Sequence, residues 1–349
     1  MNGVWILTEA DEQIASGHLL ECIDLAKDMM QAGIAVSFFV NADCPAAFQT
    51  RIPFAYQMYE RNADGTLTMP QDAGARPDAF VFNFRAITNR VLDSFRGGGT
   101  LVCIDEWGHR ALDCDIIINP MVDPYYWHYD TNAKVYGGAE YLALSEKLQD
   151  YRRQEKLIRE HIERICITMG GVDLHGTTVK LVRWLPEMRQ ALRGTLQHVD
   201  VVLGGGFSHD ESLQEAIKAS GCADLITTHH NIPNLYDLLM QADLAFCAGG
   251  NTLHELATLG VPAIVIPTMP HEWRNGKAFE RKGCCMGLPL ATELTESDVL
   301  AAVGTCMLIA ERQKMCYAGR GQFDGLGRRR ILKIVLFHCS NQTEVHVLD

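Results

Sequence analysis

Along the chain, short blocks of Val, Ile, Leu and Phe alternate with longer stretches in which apolar residues recur every three or four positions. The blocks at 4–8, 35–40, 79–84, 100–104 and 115–118 are bounded by Gly, Asp or Asn and predict strands. Between the first two, residues 17–32 space Leu20, Ile23, Leu25, Met29 and Met30 as a helix does. Strands apolar on both faces and separated by helices predict a parallel sheet. The second half repeats the theme, with strands expected at 164–169, 199–203, 225–228, 244–247 and 263–266. Helices are expected at 145–163, 177–192, 211–220, 232–241, 252–259 and 276–282, followed by a basic helical tail over 322–337.

The charged stretch from 145 opens the second series, which sets a boundary near 150. The expected organisation is a domain at 1–150 and another at 151–349 that ends in the helical tail. In two-domain architectures of this kind the last helix often crosses back to the first domain. The fold class is α/β, with two Rossmann-like domains facing a central cleft. Ligands of open α/β sheets bind outside the carboxyl ends of the strands, so the residues just after strands carry the most information.

Composition narrows the function. The 349 residues carry a net charge of −12, which argues against a nucleic-acid binder, because that binding rests on Lys and Arg neutralising phosphates. No stretch approaches the ~20 apolar residues of a membrane span. The N-terminus lacks a basic segment before its apolar run and reads as a first strand, not a signal peptide. The twelve cysteines include no Cys-x-x-Cys, and Cys103, Cys166 and Cys247 lie in apolar runs. They read as buried reduced thiols of a cytoplasmic protein.

Candidate chemistry follows the strands. Gly17-His18 opens the first helix, where His18 is either a cleft-facing base or a packing residue. Cys-Ala-Gly-Gly-Asn-Thr-Leu-His-Glu at 247–255 joins a strand to a helix. There Gly249 and Gly250 free the backbone to cradle a diphosphate at the helix N-terminus, and Glu255 can accept both hydroxyls of a ribose. The turn at 169–173, with Gly170 and Gly171, and the run 204–206 make further glycine turns. None has the Gly-x-Gly-x-x-Gly spacing, so a nicotinamide cofactor is not expected, nor any other. Asp105-Glu106 ends a strand and can hold sugar hydroxyls or move protons, or can be a solvated turn. The aromatic stretch 124–130 either lines an acceptor site or packs as a loop. His229-His230 and His271-Glu272 invite a metal, but no Cys/His set supports one.

These residues carry a resemblance. Gly17-His18, Ile104-Asp105-Glu106, and the segments 137–144, 169–173 and 248–262 fall in the order and spacing of the sugar-nucleotide hydrolases of pseudaminic acid biosynthesis. A more distant likeness, strongest over 232–283, runs to the UDP-GlcNAc transferase of peptidoglycan lipid synthesis. Both imply the GT-B fold, with UDP held mainly by the second domain. The resemblance implies that His18 positions the attacking water. Gly249, Gly250, Asn251 and Thr252 would hold the diphosphate, Glu255 the ribose, and the backbone near Ile232 the uracil edge. The turn at Gly170 and Gly171 would help neutralise the leaving diphosphate. Asp105, Glu106, Tyr141, Glu272 and Asn275 would meet the sugar, with His271 a second catalytic candidate beside His18.

Three departures cluster on the sugar side. Glu21 stands where that family carries Arg, Ser145 replaces another Arg, and His271-Glu272 replaces Asn-Gln. The expected activity is hydrolysis of a UDP-linked amino or deoxy sugar for a nonulosonic acid or surface glycan. The alternatives are a GT-B glycosyltransferase with a UDP-sugar donor, and a sugar-nucleotide-binding protein without turnover. The expected partner is a small-molecule UDP-sugar.

Overall fold

A computed structural model of the protein describes residues 3–11, 17–230, 232 and 234–339. They form two compact units. The first takes the described residues up to Ser145 and those from Leu326 onward, and the second is Glu146–Gly325. The break thus falls five residues before the expected boundary. The final helix, Gly327–Cys339, belongs to the first unit and not to the domain to which the sequence assigned the tail. Its anchor is Arg328, which pairs with Asp24 at 2.8 Å and Asp28 at 3.0 Å on the helix Gly17–Gln31.

In the first unit the strands are β1 (Val4–Thr8), β2 (Val36–Asn41), β3 (Gln57–Arg61), β4 (Leu67–Thr68), β5 (Ala79–Asn83), β6 (Thr100–Ile104), β7 (Ile116–Asn119) and β8 (Lys134–Gly137). Their order is β4-β3-β2-β1-β5-β6-β7-β8, parallel except for β3 with β4. Side chains of a strand alternate faces, and this sets two cores. Val4, Ile6, Val81, Val102 and Ile118 pack against Leu19, Ile23 and Met29 of the first helix and Ile331 and Val335 of the last. Trp5, Leu7, Phe80, Phe82 and Ile117 pack on the other face against Val91, Leu92 and Phe95. The polar strands β4 and β8 lie at the sheet edges, with β3 beside β4, and there the apolar block pattern fades.

The second unit has β9 (Arg164–Thr168), β10 (His198–Leu203), β11 (Ile226–His230), β12 (Leu244–Cys247), β13 (Ala263–Val265) and β14 (Met286–Gly287). The order is β11-β10-β9-β12-β13-β14, parallel throughout. In both units the chain builds outward on one side and then restarts on the other. The restart lies between β1 and β5 in the first unit, and between β9 and β12 in the second. At such a switch point the following loops part and leave a crevice at the carboxyl ends.

Several expected helices differ in their bounds. The stretch 145–163 is helical only over Lys147–Arg152. Beyond it the chain is extended, because Lys156 and Arg159 are drawn to the neighbouring helix Tyr236–Gln241. Lys156 Nζ donates to the carbonyls of Met240 (2.8 Å) and Ala242 (2.6 Å), groups that a helix end leaves without partners. The stretch 177–192 splits into Thr177–Arg183 and Leu185–Ala191, since Pro186 has no N–H to continue the ladder. The helix expected from 276 begins at Pro270, which places His271 and Glu272 in its first turn. Among the described residues eleven cysteines are unpaired, and all of these but Cys114 are buried. Among the described residues no helix is long and apolar enough to cross a membrane.

Candidate functional site

At the switch point of the second unit, β9 and β12 each run through a glycine pair into a helix. The two turns look alike in sequence and differ in chemistry. After β9, Asp173 is buried and held at a φ of 48°. Its Oδ1 accepts the N–H of Thr177 at 2.8 Å and its Oδ2 that of Thr178 at 2.9 Å. The protein's own carboxylate therefore fills the anion position of that helix. After β12, Gly250 precedes the helix Asn251–Leu259, no side chain caps it, and its first turn holds no acidic residue. A helix N-terminus of this kind attracts an anion through its exposed N–H groups and its dipole.

The turn after β12 can only be built with glycine. A Cβ on Gly249 would lie 2.5 Å from the carbonyl oxygen of Glu272 and 2.7 Å from its Cβ. Asn275 locks the same contact by donating to the Gly249 carbonyl at 2.6 Å, while its Oδ1 is buried without a hydrogen-bond partner. Glu272 is engaged in the helix entry, where its Oε2 accepts from the N–H (2.7 Å) and hydroxyl (2.6 Å) of Thr268. Of the sugar-side expectations, Asn275 and Glu272 are thus first of all the supports of the turn. His271 is exposed beside them on the same helix.

One turn into the helix, Glu255 is half-buried and accepts from the Tyr236 hydroxyl at 2.9 Å. Loss of water around it raises its pKa to about 7, against a smaller lowering by that hydrogen bond. Behind Tyr236, Tyr151 donates to Asp237 at 2.6 Å and accepts from Asn234. Ile232 is half-buried ahead of this cluster, and its neighbours Asn231 and Pro233 lie outside the described residues. The turn with Gly170 and Gly171 is braced by the run 204–206. Gly206 donates to the Gly171 carbonyl at 2.9 Å, and a Cβ on Gly204 would lie 2.5 Å from Gly170 and Gly171 atoms. The space at Gly170 and Gly171 themselves is open.

At the switch point of the first unit, His18 begins the helix after β1, Asn83 ends β5 and Glu106 follows β6. His18 Nδ1 bonds Asn83 Oδ1 at 2.9 Å, and Asn83 Nδ2 donates to Glu21 Oε2 at 3.1 Å. Burial raises the pKa of Glu106, the nearby His18 draws it back down, and Glu21 adds to the rise. Asn83 thus links His18 to Glu21, with Glu106 close enough to feel the charge of both. Asn83 was missed in the sequence, although a polar residue that interrupts Phe-Val-Phe-Asn-Phe at a strand end was a usable signal.

Other expected residues serve the framework. Asp105 is fully buried and ion-paired with Arg110. It also accepts from the Tyr129 hydroxyl at 2.6 Å and the N–H groups of Gly108 (3.1 Å) and Trp107 (3.3 Å). Its carboxylate is turned inward to Arg110, Tyr129 and the backbone that follows it. The aromatic stretch 124–130 is tied to that loop through Tyr129 and Asn119, though Tyr125 stays exposed. Tyr141 packs against Tyr136 at 5.8 Å in the turn that the last helix covers. His229 is bonded to the buried Asp200 at 2.8 Å, which His198 and Arg164 also approach. Those contacts make His229 a partner of a buried carboxylate.

Comparison with known proteins agrees with this picture. Residues 176–320 match the glycosyltransferase family 28 C-terminal domain. The match takes in the uncapped helix N-terminus, Tyr236 and Glu255. The chain is 24% identical to the spore coat polysaccharide biosynthesis protein SpsG of Bacillus subtilis, over 95% of this chain and 97% of that protein. Over 31% of its length it is 32% identical to the UDP-N-acetylglucosamine–N-acetylmuramyl-(pentapeptide) pyrophosphoryl-undecaprenol N-acetylglucosamine transferase of Halalkalibacterium halodurans, covering 31% of that protein. Among solved structures, Acinetobacter baumannii MurG aligns with a TM-score of 0.68 at 14% identity, over 96% of this chain and 99% of that one. The fold is GT-B, with parallel sheets in both units.

Proposed function

We propose that this protein is a glycosyltransferase that uses a UDP-linked sugar as donor in the assembly of a polysaccharide. One observation carries the reading: of two Gly-Gly turns at the second unit's switch point, one is filled by Asp173 and the other is left open to an anion. The family 28 match and the names of the spore coat and N-acetylglucosamine-transferring relatives support the donor class and the setting. Hydrolysis, which the sequence put first, becomes the case in which water takes the acceptor's place.

In this reading the backbone of Gly249, Gly250, Asn251 and Thr252 binds the diphosphate, and Glu255 receives the ribose hydroxyls. The backbone at Ile232 reads the uracil edge. His18 Nε2 takes the proton of the acceptor hydroxyl as its oxygen bonds to the anomeric carbon. The bond from that carbon to the diphosphate oxygen breaks, and the electron pair leaves with UDP. The glycine turn at Gly170 and Gly171 offers further backbone dipoles to the departing charge.

The test is UDP release from a panel of UDP-sugars, with and without glycan acceptors. Acceptor-dependent release is expected. Release with matching free sugar in water alone would mean hydrolysis, and binding without release under any condition would leave a sugar-nucleotide-binding protein. His18→Ala should leave UDP affinity nearly intact and lower turnover by about 10²–10⁴. Glu255→Ala should weaken UDP binding, and unaltered affinity would remove the ribose assignment.

A further inference from the structure

The amide of Asn83 stands between an imidazole and a carboxylate, and its orientation is decided by what each neighbour can exchange. Asn83 Nδ2 donates to Glu21 Oε2 at 3.1 Å, so the group facing the carboxyl of Glu21 is the NH2 of Asn83. Asn83 Oδ1 then faces His18 Nδ1 at 2.9 Å, and an amide oxygen only accepts. The ring nitrogen at that position must therefore carry the hydrogen.

We infer that Glu21 and Asn83 act together as positioning residues that hold His18 as the Nδ1–H tautomer, with the lone pair on Nε2. Asn83 is buried at the end of β5, and Glu21 lies one turn beyond His18 on the same helix, so both partners are fixed by secondary structure. The Glu21 carboxylate polarises the amide it receives from and makes Oδ1 a better acceptor, which steadies the imidazolium that forms when Nε2 takes a proton. Glu21, which occupies the place of an arginine in the resembled hydrolases, thus acts inward on the base. Its bearing on turnover rests on the reading of His18 as the base; the tautomer itself does not.

The experiment is long-range ¹H–¹⁵N NMR of the full chain, with His18 assigned by loss of its signals in His18→Gln. The native ring should show Nδ1 protonated and Nε2 bare. Glu21→Arg presents only donors, so Asn83 must turn its amide and offer NH2 to Nδ1. The proton should move to Nε2, with turnover lower by about 10²-fold or more and UDP affinity within about threefold. Adding Asn83→Asp to that variant supplies one carboxylate that accepts from both the introduced guanidinium and His18, and should restore the native tautomer and most of the rate. Because the double variant must fold for rescue to occur, rescue separates a positioning role from damage to the unit. An Nε2–H tautomer in the native protein, or an unmoved proton in Glu21→Arg, overturns the inference. The expected tautomers with no turnover in any variant would instead overturn the proposed function and leave this assignment standing.

Discussion

Glu255 offers a test in which stability and binding should move in opposite directions. Its carboxyl is half-buried beside Tyr236, and loss of hydration raises its pKa from 4.5 to about 7. An acid whose pKa is higher in the folded state binds more protons folded than unfolded between those two values. Stability contributed at this position is therefore undiminished below about pH 4.5, falls as pH rises, and is lowest above about pH 7. A shift of this size corresponds to roughly 3 kcal/mol at most, and water at the exposed edge of the group reduces this to about 1–2 kcal/mol. Glu255→Gln keeps an acceptor for the Tyr236 hydroxyl and removes the charge. In urea unfolding of the second unit, the variant should gain about 1–2 kcal/mol over the native protein at pH 8.5 and little or nothing at pH 5. The same variant should bind UDP more weakly, by about tenfold, since an amide oxygen accepts ribose hydroxyls less strongly than a carboxylate. Equal stability at pH 8.5, or a gain of the same size at both pH values, would refute the assignment of a costly buried charge. A stability gain with undiminished UDP affinity would refute its retention for binding.

Two further outcomes follow from the same contacts. Arg110→Met should destabilise the first unit by about 3–5 kcal/mol, because it strands the fully buried Asp105 carboxylate; chemical denaturation would read this, and Asp105→Asn in the same background should recover part of the loss. Glu272→Gln removes a negative charge beside the Gly249-Gly250 turn while keeping one acceptor for Thr268, so if that turn holds the diphosphate, UDP binding by calorimetry should tighten by about 1 kcal/mol at low salt, and less at high salt.

Much of this protein is written locally. The apolar blocks of β1, β5, β6, β7, β9, β10 and β12 announce strands buried on both faces, because a residue that must face a core on either side of a sheet cannot be polar. Gly249-Gly250 and Gly17-His18 announce strand-to-helix turns for the same local reason. The failures have two sources, a missing local pattern and a distant partner. The polar strands β3, β4 and β8, at or next to the sheet edges, lack that pattern. The stretch 153–163 has the composition of a helix, but Lys156 and Arg159 are recruited by carbonyls of a helix some eighty residues away.

What only the tertiary structure decided was partnership. Asp105 and Glu106 are neighbours in sequence, yet one is consumed by Arg110 and Tyr129 while the other joins His18, since successive side chains leave a strand end on opposite sides. The two glycine turns of the second unit are near-equivalent in sequence, and only the placement of Asp173 over Thr177 and Thr178 closes one of them. Asn83 gains its meaning from His18 and Glu21, more than sixty positions away. Strand patterns and turns depend on the chemistry of neighbours along the chain, which a sequence displays. Which donor meets which acceptor depends on the strand order that brings β1 beside β5 and β9 beside β12, and that order exists only once the sheets have formed.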